Sequence, residues 1–239
     1  MAARLAYTVT PMKIQILPSL LAADFGRLAD EIKRVEASGA DALHLDIMDA
    51  HFVPNLSFGP DVVSLAHKVC PALYRHTHLM MTRPDLYSGR FVEAGSQTVQ
   101  IHVEADCDVW SVLDGIRSAG ARNGLVLRPQ TPVSTLFPYL GSCDEVLFMT
   151  VNPGYGGQAF MAEVLPKISE LRRHADASGA ARLDIMVDGG INFETAELCA
   201  AHGANQFVAG SFLFKQQDMG AAVTRLREIC EKAYATNLR

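Results

Sequence analysis

Three stretches of the chain carry side chains whose types and spacing could do chemistry together. His44-Leu45-Asp46-Ile47-Met48 alternates functional and aliphatic residues, and His76-Thr77-His78-Leu79-Met80 does so again. Val187-Asp188-Gly189-Gly190 ends a third apolar run on a carboxylate. Successive side chains of a strand point to opposite faces, so His44, Asp46 and Met48 share one face and Leu45 and Ile47 the other. Two imidazoles and two carboxylates gathered at one point would form a ligand set for one borderline divalent cation, Zn²⁺, Fe²⁺, Mn²⁺ or Co²⁺. Taken singly, each of the eight histidines reads more simply as a hydrogen-bonded interior group. Convergence at strand ends changes that, because interior charges need a partner or a metal. His102 ends another apolar run and is a weaker candidate. His51 follows the first stretch, and spacing alone does not decide its role. His67, His174 and His202 fall in helical stretches and read as surface or core residues.

Glycines cluster in three loops: Asn152-Pro153-Gly154-Tyr155-Gly156-Gly157-Gln158, then Gly189-Gly190, then Gly210-Ser211. Glycine lets bare backbone N–H groups approach an anion. Turns use glycine as well, but clustering on three successive loops favours an anion such as a phosphate group.

These residues need a frame. Eight short apolar runs read as strands: 14–17, 42–46, 74–78, 98–102, 124–127, 145–149, 183–187 and 206–209. Helical patterns at 25–38, 61–69, 84–93, 108–119, 132–139, 162–178, 193–202 and 219–234 alternate with them. Asp24 is a candidate N-cap, and Gly39, Gly95, Gly120, Gly179 and Gly203 mark helix ends. Strand–helix units in this order imply parallel pairing with right-handed crossovers. Their number and the chain length of 239 residues fit a single α/β domain, a (β/α)₈ TIM barrel. An open doubly wound sheet is the alternative, but no G-x-G-x-x-G follows the first strand. Residues 1–12 stand outside the scheme as an N-terminal extension, disordered or an overcalled start, and 13–239 form the barrel. In such a barrel chemistry sits at the C-terminal ends of the strands, where the three stretches above place their polar residues.

Composition excludes several other classes. The chain is 49% hydrophobic, enough for a core, and no stretch approaches a membrane span or a secretory signal. Its formal net charge of −5, with no long basic run, disfavours nucleic-acid binding. Cys70, Cys107, Cys143, Cys199 and Cys230 are odd in number and form no CxxC pair, which suits reduced packing residues in a cytoplasmic protein.

The runs Leu17-Pro18-Ser19, His44 to Asp49 with His51 to Asn55, and His78-Leu79-Met80 resemble the ribulose-phosphate 3-epimerase family. So do Met149 to Gln158, Val187 to Ile191 and Ala209-Gly210-Ser211. The resemblance implies a barrel that interconverts ribulose 5-phosphate and xylulose 5-phosphate, acting on a small sugar phosphate as a homo-oligomer. It implies metal ligation by His44, Asp46, His78 and Asp188, with Asp46 as base and Asp188 as opposing acid. Ser19 and His78 would contact substrate. Gly154, Tyr155, Gly156 and Gly157 would also hold it, with Gly189, Gly190, Gly210 and Ser211 mainly at its phosphate. Met48, Met80 and Met149, otherwise ordinary core residues, would form an apolar lid that excludes water.

Chemistry agrees with that assignment. Epimerisation beside a carbonyl takes a proton from one face and returns one to the other, so it needs two acid–base groups on opposite sides. A ketohexose phosphate such as allulose 6-phosphate would undergo the same reaction and is the alternative substrate. A non-catalytic sugar-phosphate-binding barrel would be expected to lack a carboxylate. Similar synthase and decarboxylase barrels typically carry Lys two residues after the strand-2 Asp, where this chain has Met48. Two positions depart from the family pattern: His76 replaces the usual Asp, and Ala50 the usual Gly. If His76 faces the site it changes the local charge, and a left-handed backbone at Ala50 would be strained by its Cβ.

Overall fold

The computed structural model describes residues 12–180 and 182–237. The expected N-terminal extension therefore lies outside the described residues, except for Met12, which packs half-buried against the core.

Each expected apolar run forms a strand. These are β1 (Gln15–Pro18), β2 (Ala42–Met48), β3 (Tyr74–Met80), β4 (Thr98–His102), β5 (Arg122–Leu127), β6 (Glu145–Met149), β7 (Asp184–Asp188) and β8 (Gln206–Ala209). All pairings are parallel, in the order β1-β8-β7-β6-β5-β4-β3-β2. The two edges meet across a Ser19–His44 bridge, and Asp41 N–H donates to the Ile16 carbonyl at 3.0 Å. That seam closes the eight strands into the barrel.

The helices outside are α1 (Leu28–Ala37), α2 (Pro60–Val69), α3 (Ser88–Glu93), α4 (Val109–Ser118), α5 (Leu165–Ser178), α6 (Phe193–Ala201), α7 (Ser211–Phe214) and α8 (Met219–Asn237). Asp24 accepts from Gly26 N–H and opens a 3₁₀ turn, Phe25–Arg27, that leads into α1. Asp108 accepts from Ser111 N–H and caps α4. Gly39, Gly95, Gly120, Gly179 and Gly203 take the positive φ expected after helices. The stretch 132–139 differs from the helix expected there. Val133–Tyr139 is 3₁₀ throughout, because Pro138 has no N–H for an α-helical ladder. The single-turn α7 was not expected, being too short to show a periodicity.

The core has two layers. Leu43, Leu45, Ile47, Ile101, Phe148 and Phe207 face outward into the packing between sheet and helices. Leu17, Val126, Leu147, Met186 and Val208 fill the barrel itself. The lower interior is polar. His76 Nδ1 lies 3.1 Å from Glu145 Oε1, which also accepts from Gln100 Nε2 at 2.6 Å. Gly124 makes room for this group: a Cβ there would stand 2.8 Å from Glu145 Cγ and 2.9 Å from Gln100 Cγ. His174 stacks on Phe137 at 3.8 Å, and His202 Nδ1 meets the Leu198 carbonyl at 2.7 Å, both outside the barrel.

Ala50 has φ of 61°, in the left-handed region where its Cβ is strained. Asp49 holds the loop there, its Oδ1 accepting from His51 and Phe52 N–H and its Oδ2 from Thr82 N–H. A left-handed backbone costs a residue with a Cβ about 1–2 kcal/mol, against up to about 1 kcal/mol of extra entropy for glycine. Ala50→Gly should therefore raise the melting temperature by about 1–3 °C in a calorimetric scan. A lower melting temperature would contradict the strain.

Candidate active site

The parallel register sets Asp46 directly beside His78, Met48 beside Met80, and Met149 beside Asp188. His44 precedes Asp46 on the same inward face. The outcome is a cluster of His44, Asp46, His78 and Asp188 whose ligand-capable atoms all lie within 4.8 Å of one another. Three of the four side chains are buried, and Asp188 is partly exposed to the cleft above.

Asp46 is the hub. Its Oδ2 accepts from the Ser19 hydroxyl at 2.6 Å, and its Oδ1 stands 3.1 Å from His78 Nδ1 and 3.3 Å from His44 Nε2. The end of β2 is pinned by Ser57, whose hydroxyl donates to the Asp46 carbonyl at 2.5 Å and accepts from Met48 N–H. Sequence reasoning gave no signal for Ser57, because a lone serine in a loop has no distinguishing pattern.

The donor set fits one divalent cation. His44 is fully buried, yet neither of its ring nitrogens makes a hydrogen bond. Buried polar groups normally find partners, so nitrogen aimed without a bond at a group containing two carboxylates behaves as a ligand whose partner is a metal. Imidazole with carboxylate suits a borderline ion.

The two carboxylates sit in opposed electrostatic states. Burial would raise the Asp46 carboxyl, but the charge of His44 beside it outweighs that and holds it well below the usual carboxylate range. Burial and then the neighbouring Asp46 charge push Asp188 up to about 7. His44 is raised: burial opposes its charging, and the Asp46 carboxylate outweighs that. Without a cation the cluster thus holds an ionised Asp46 facing an Asp188 that is about half protonated at neutral pH.

Above the cluster opens a cleft of about 720 Å³. Ser19, Met48, Met80 and Met149 line it, as do Gly154, Tyr155, Gly156, Gly157, Gly189, Gly190, Gly210 and Ser211. The glycines after β7 are sterically required. A Cβ on Gly189 would stand 2.5 Å from Val151 Cγ2, and one on Gly190 would stand 2.9 Å from Phe160 N. The loop after β6 reaches across the mouth, where Asn55 Nδ2 donates to the Gly154 carbonyl and the Tyr155 hydroxyl to that of Pro54. Lys215, which the sequence reading missed, lines the cleft with Gly210 and Ser211. It sits just past the unforeseen α7. His76 pairs in register with His44, one layer below Asp46 and His78, but is engaged with Glu145 and is not among the possible ligands. His51 is exposed, with Nδ1 on the Asp49 carbonyl.

Comparison with known proteins matches residues 15–214 to the family model described as the ribulose-phosphate 3-epimerase family. The chain is 45% identical over 214 residues to ribulose-phosphate 3-epimerase of Bacillus subtilis (strain 168), covering 90% of this chain and 98% of that one. It is 41% identical over 221 residues to the cytoplasmic isoform of ribulose-phosphate 3-epimerase from Oryza sativa subsp. japonica, covering 91% and 94%. Among solved structures, 3-hexulose-6-phosphate synthase from Salmonella typhimurium superposes with a TM-score of 0.67 at 14% identity, covering 92% of this chain and 100% of that one. KGPDC from Streptococcus mutans gives 0.66 at 12% identity, covering 93% and 100%. These structural likenesses show the barrel alone.

A cation must displace the Asp188 proton to gain that ligand. As pH falls through about 7, divalent-metal affinity should therefore fall, by about tenfold per pH unit for the one proton displaced from Asp188. Protonation of the raised His44 acts in the same direction. Calorimetric titration of chelator-stripped protein with Zn²⁺ or Mn²⁺ across that range reads this. A flat affinity would contradict the protonated Asp188.

Proposed function

The chain belongs to the ribulose-phosphate 3-epimerase family, and from that premise we propose that it interconverts D-ribulose 5-phosphate and D-xylulose 5-phosphate at C3. The observation that carries the reading is the pair Asp46 and Asp188 in one cluster, on strands three places apart around the ring, with opposite protonation preferences. It is an enzyme, an isomerase acting on carbohydrate phosphates.

The substrate lies in the cleft with its C3 between the two carboxylates. Asp46, ionised, removes the C3 proton from one face. Asp188, protonated, delivers a proton to the opposite face of the enediolate and inverts the centre. In the reverse direction the two exchange roles. Ser19, hydrogen-bonded to Asp46, orients the base and lies within reach of substrate oxygens. Met48, Met80 and Met149 close over the reacting carbons and exclude water, which protects the enediolate from stray protonation. A divalent cation would be held by His44, Asp46 and His78, and by Asp188 whenever that carboxyl carries no proton, and would supply Lewis-acid stabilisation of the charge developing on substrate oxygen. The phosphate sits over Gly189-Gly190 and Gly210-Ser211, where bare backbone lets N–H groups approach closely, and Lys215 adds positive charge at that end.

We also infer a homo-oligomer in the cytoplasm. Phe25 and Leu56 are 52% and 72% exposed, which suits a surface covered by a second copy. All five cysteines are free, as a reducing compartment would keep them. Among the described residues no helix is long and apolar enough to cross a membrane.

Asp188→Asn removes the proton donor without changing shape. It should lower turnover of ribulose 5-phosphate by about 10²–10⁴-fold, while the melting temperature of the chelator-stripped variant stays at or above that of the stripped parent. Normal turnover would refute the two-carboxylate reading. Turnover of ribulose 5-phosphate and allulose 6-phosphate, measured side by side, should favour the pentose. A large preference for the hexose phosphate would overturn the substrate assignment.

A further inference from the structure

His102 is not a member of the ligand cluster, yet it is fully buried and touches one of its members. Its Nε2 stands 2.9 Å from His78 Nε2, and its Nδ1 stands 3.1 Å from Glu104 Oε2. The other carboxylate oxygen, Glu104 Oε1, accepts from Arg128 N–H at 3.0 Å and from the Thr131 hydroxyl at 2.5 Å. The His102 ring packs against Phe52 at 4.6 Å between centroids, and Arg128 covers Phe52 from 4.0 Å.

Each contact constrains the next. A carboxylate only accepts hydrogen bonds, so His102 Nδ1 carries a hydrogen. A neutral imidazole has one donor and one acceptor nitrogen, and burial favours the neutral form. His102 Nε2 is then a lone pair, and at 2.9 Å it requires the hydrogen to sit on His78 Nε2. This leaves His78 Nδ1 bare, and Nδ1 is the nitrogen that stands 3.1 Å from Asp46 Oδ1. Two lone pairs facing each other at that distance repel unless a cation lies between or beside them.

We propose that Glu104 and His102 are positioning residues that set the His78 tautomer, turning its Nδ1 lone pair toward the cation site. The proposal rests on reading the cluster as a metal site. It adds a relay running from Glu104 through His102 to the ligand His78, built from residues that touch neither the cation nor the reacting carbons. Such outer partners typically change metal affinity by about 10–100-fold.

Glu104→Gln tests it. The Arg128 N–H and Thr131 hydroxyl are both donors, so they select the amide oxygen and turn the amide NH₂ toward His102 Nδ1. The relay then inverts and places the hydrogen on His78 Nδ1. Long-range ¹H–¹⁵N correlation spectra of chelator-stripped, ¹⁵N-labelled protein read the tautomer without any metal present. The parent should show hydrogen on His78 Nε2. Glu104→Gln should show it on Nδ1 and bind Zn²⁺ about 10–100-fold more weakly in a chelator competition. Hydrogen on His78 Nδ1 in the parent overturns the proposal, and so does a folded Glu104→Gln protein with unchanged tautomer or unchanged affinity. If that variant does not fold, the parent spectrum alone decides. A parent with hydrogen on Nε2 that binds no divalent cation would instead refute the metal-site reading, so the two failures are distinguishable.

Discussion

Asp46 and Asp188 stand in one cluster at the floor of a cleft, and two carboxylates so placed repel each other when both are charged. That repulsion is the constraint from which the rest of the site follows. Together with burial, it divides the pair into an ionised member held down chiefly by His44 and a member whose proton is retained by burial and the Asp46 charge against a weaker pull from His44. An epimerase needs such a division, a base on one side of its substrate and an acid on the other. A cation among the same four side chains would relieve the repulsion, so the two carboxylates that move protons also belong to the group that would bind metal.

The fold serves this arrangement by register and by omission. Parallel pairing brings Asp46 level with His78 and Met149 level with Asp188, so side chains distant in the chain meet at one height. The Ser19–His44 bridge closes the ring at the strand that carries the base. Glycine supplies the omissions. Gly189 and Gly190 let the chain leave β7 against Val151 and Phe160, which keeps the cleft open beside Asp188. Gly124 makes space lower down for Glu145, whose pairing with His76 keeps that histidine out of the ligand cluster.

Much of this was legible in the sequence because the information is periodic. Alternation within a strand puts His44 and Asp46 on one face, and strand order puts β7 near β2. The barrel and the four-residue cluster follow from such local rules, whereas Ala50 stood out only against the family pattern. Less legible were features that depend on what arrives from elsewhere. The role of His76 on β3 turned on Glu145, which reaches it across the barrel from β6 and is unmarked in sequence. Lys215 reaches the cleft because of a one-turn helix too short for any pattern. Glu104 did carry a signal: His102 and Glu104 are spaced by two, as His44 and Asp46 are, which would put both on one face at a strand end. That spacing gained meaning only once His102 was found against His78.

The central claim is that two opposed groups, and not one, carry the proton. Epimerisation of ribulose 5-phosphate in ²H₂O, followed by ¹H NMR at C3 during the first turnovers, tests it most directly. The account predicts that newly formed xylulose 5-phosphate carries solvent deuterium at C3, because the donor on the second face exchanges with water before it acts. Xylulose 5-phosphate that retains the substrate's own C3 hydrogen would show that one group carries the proton across, and would contradict the account.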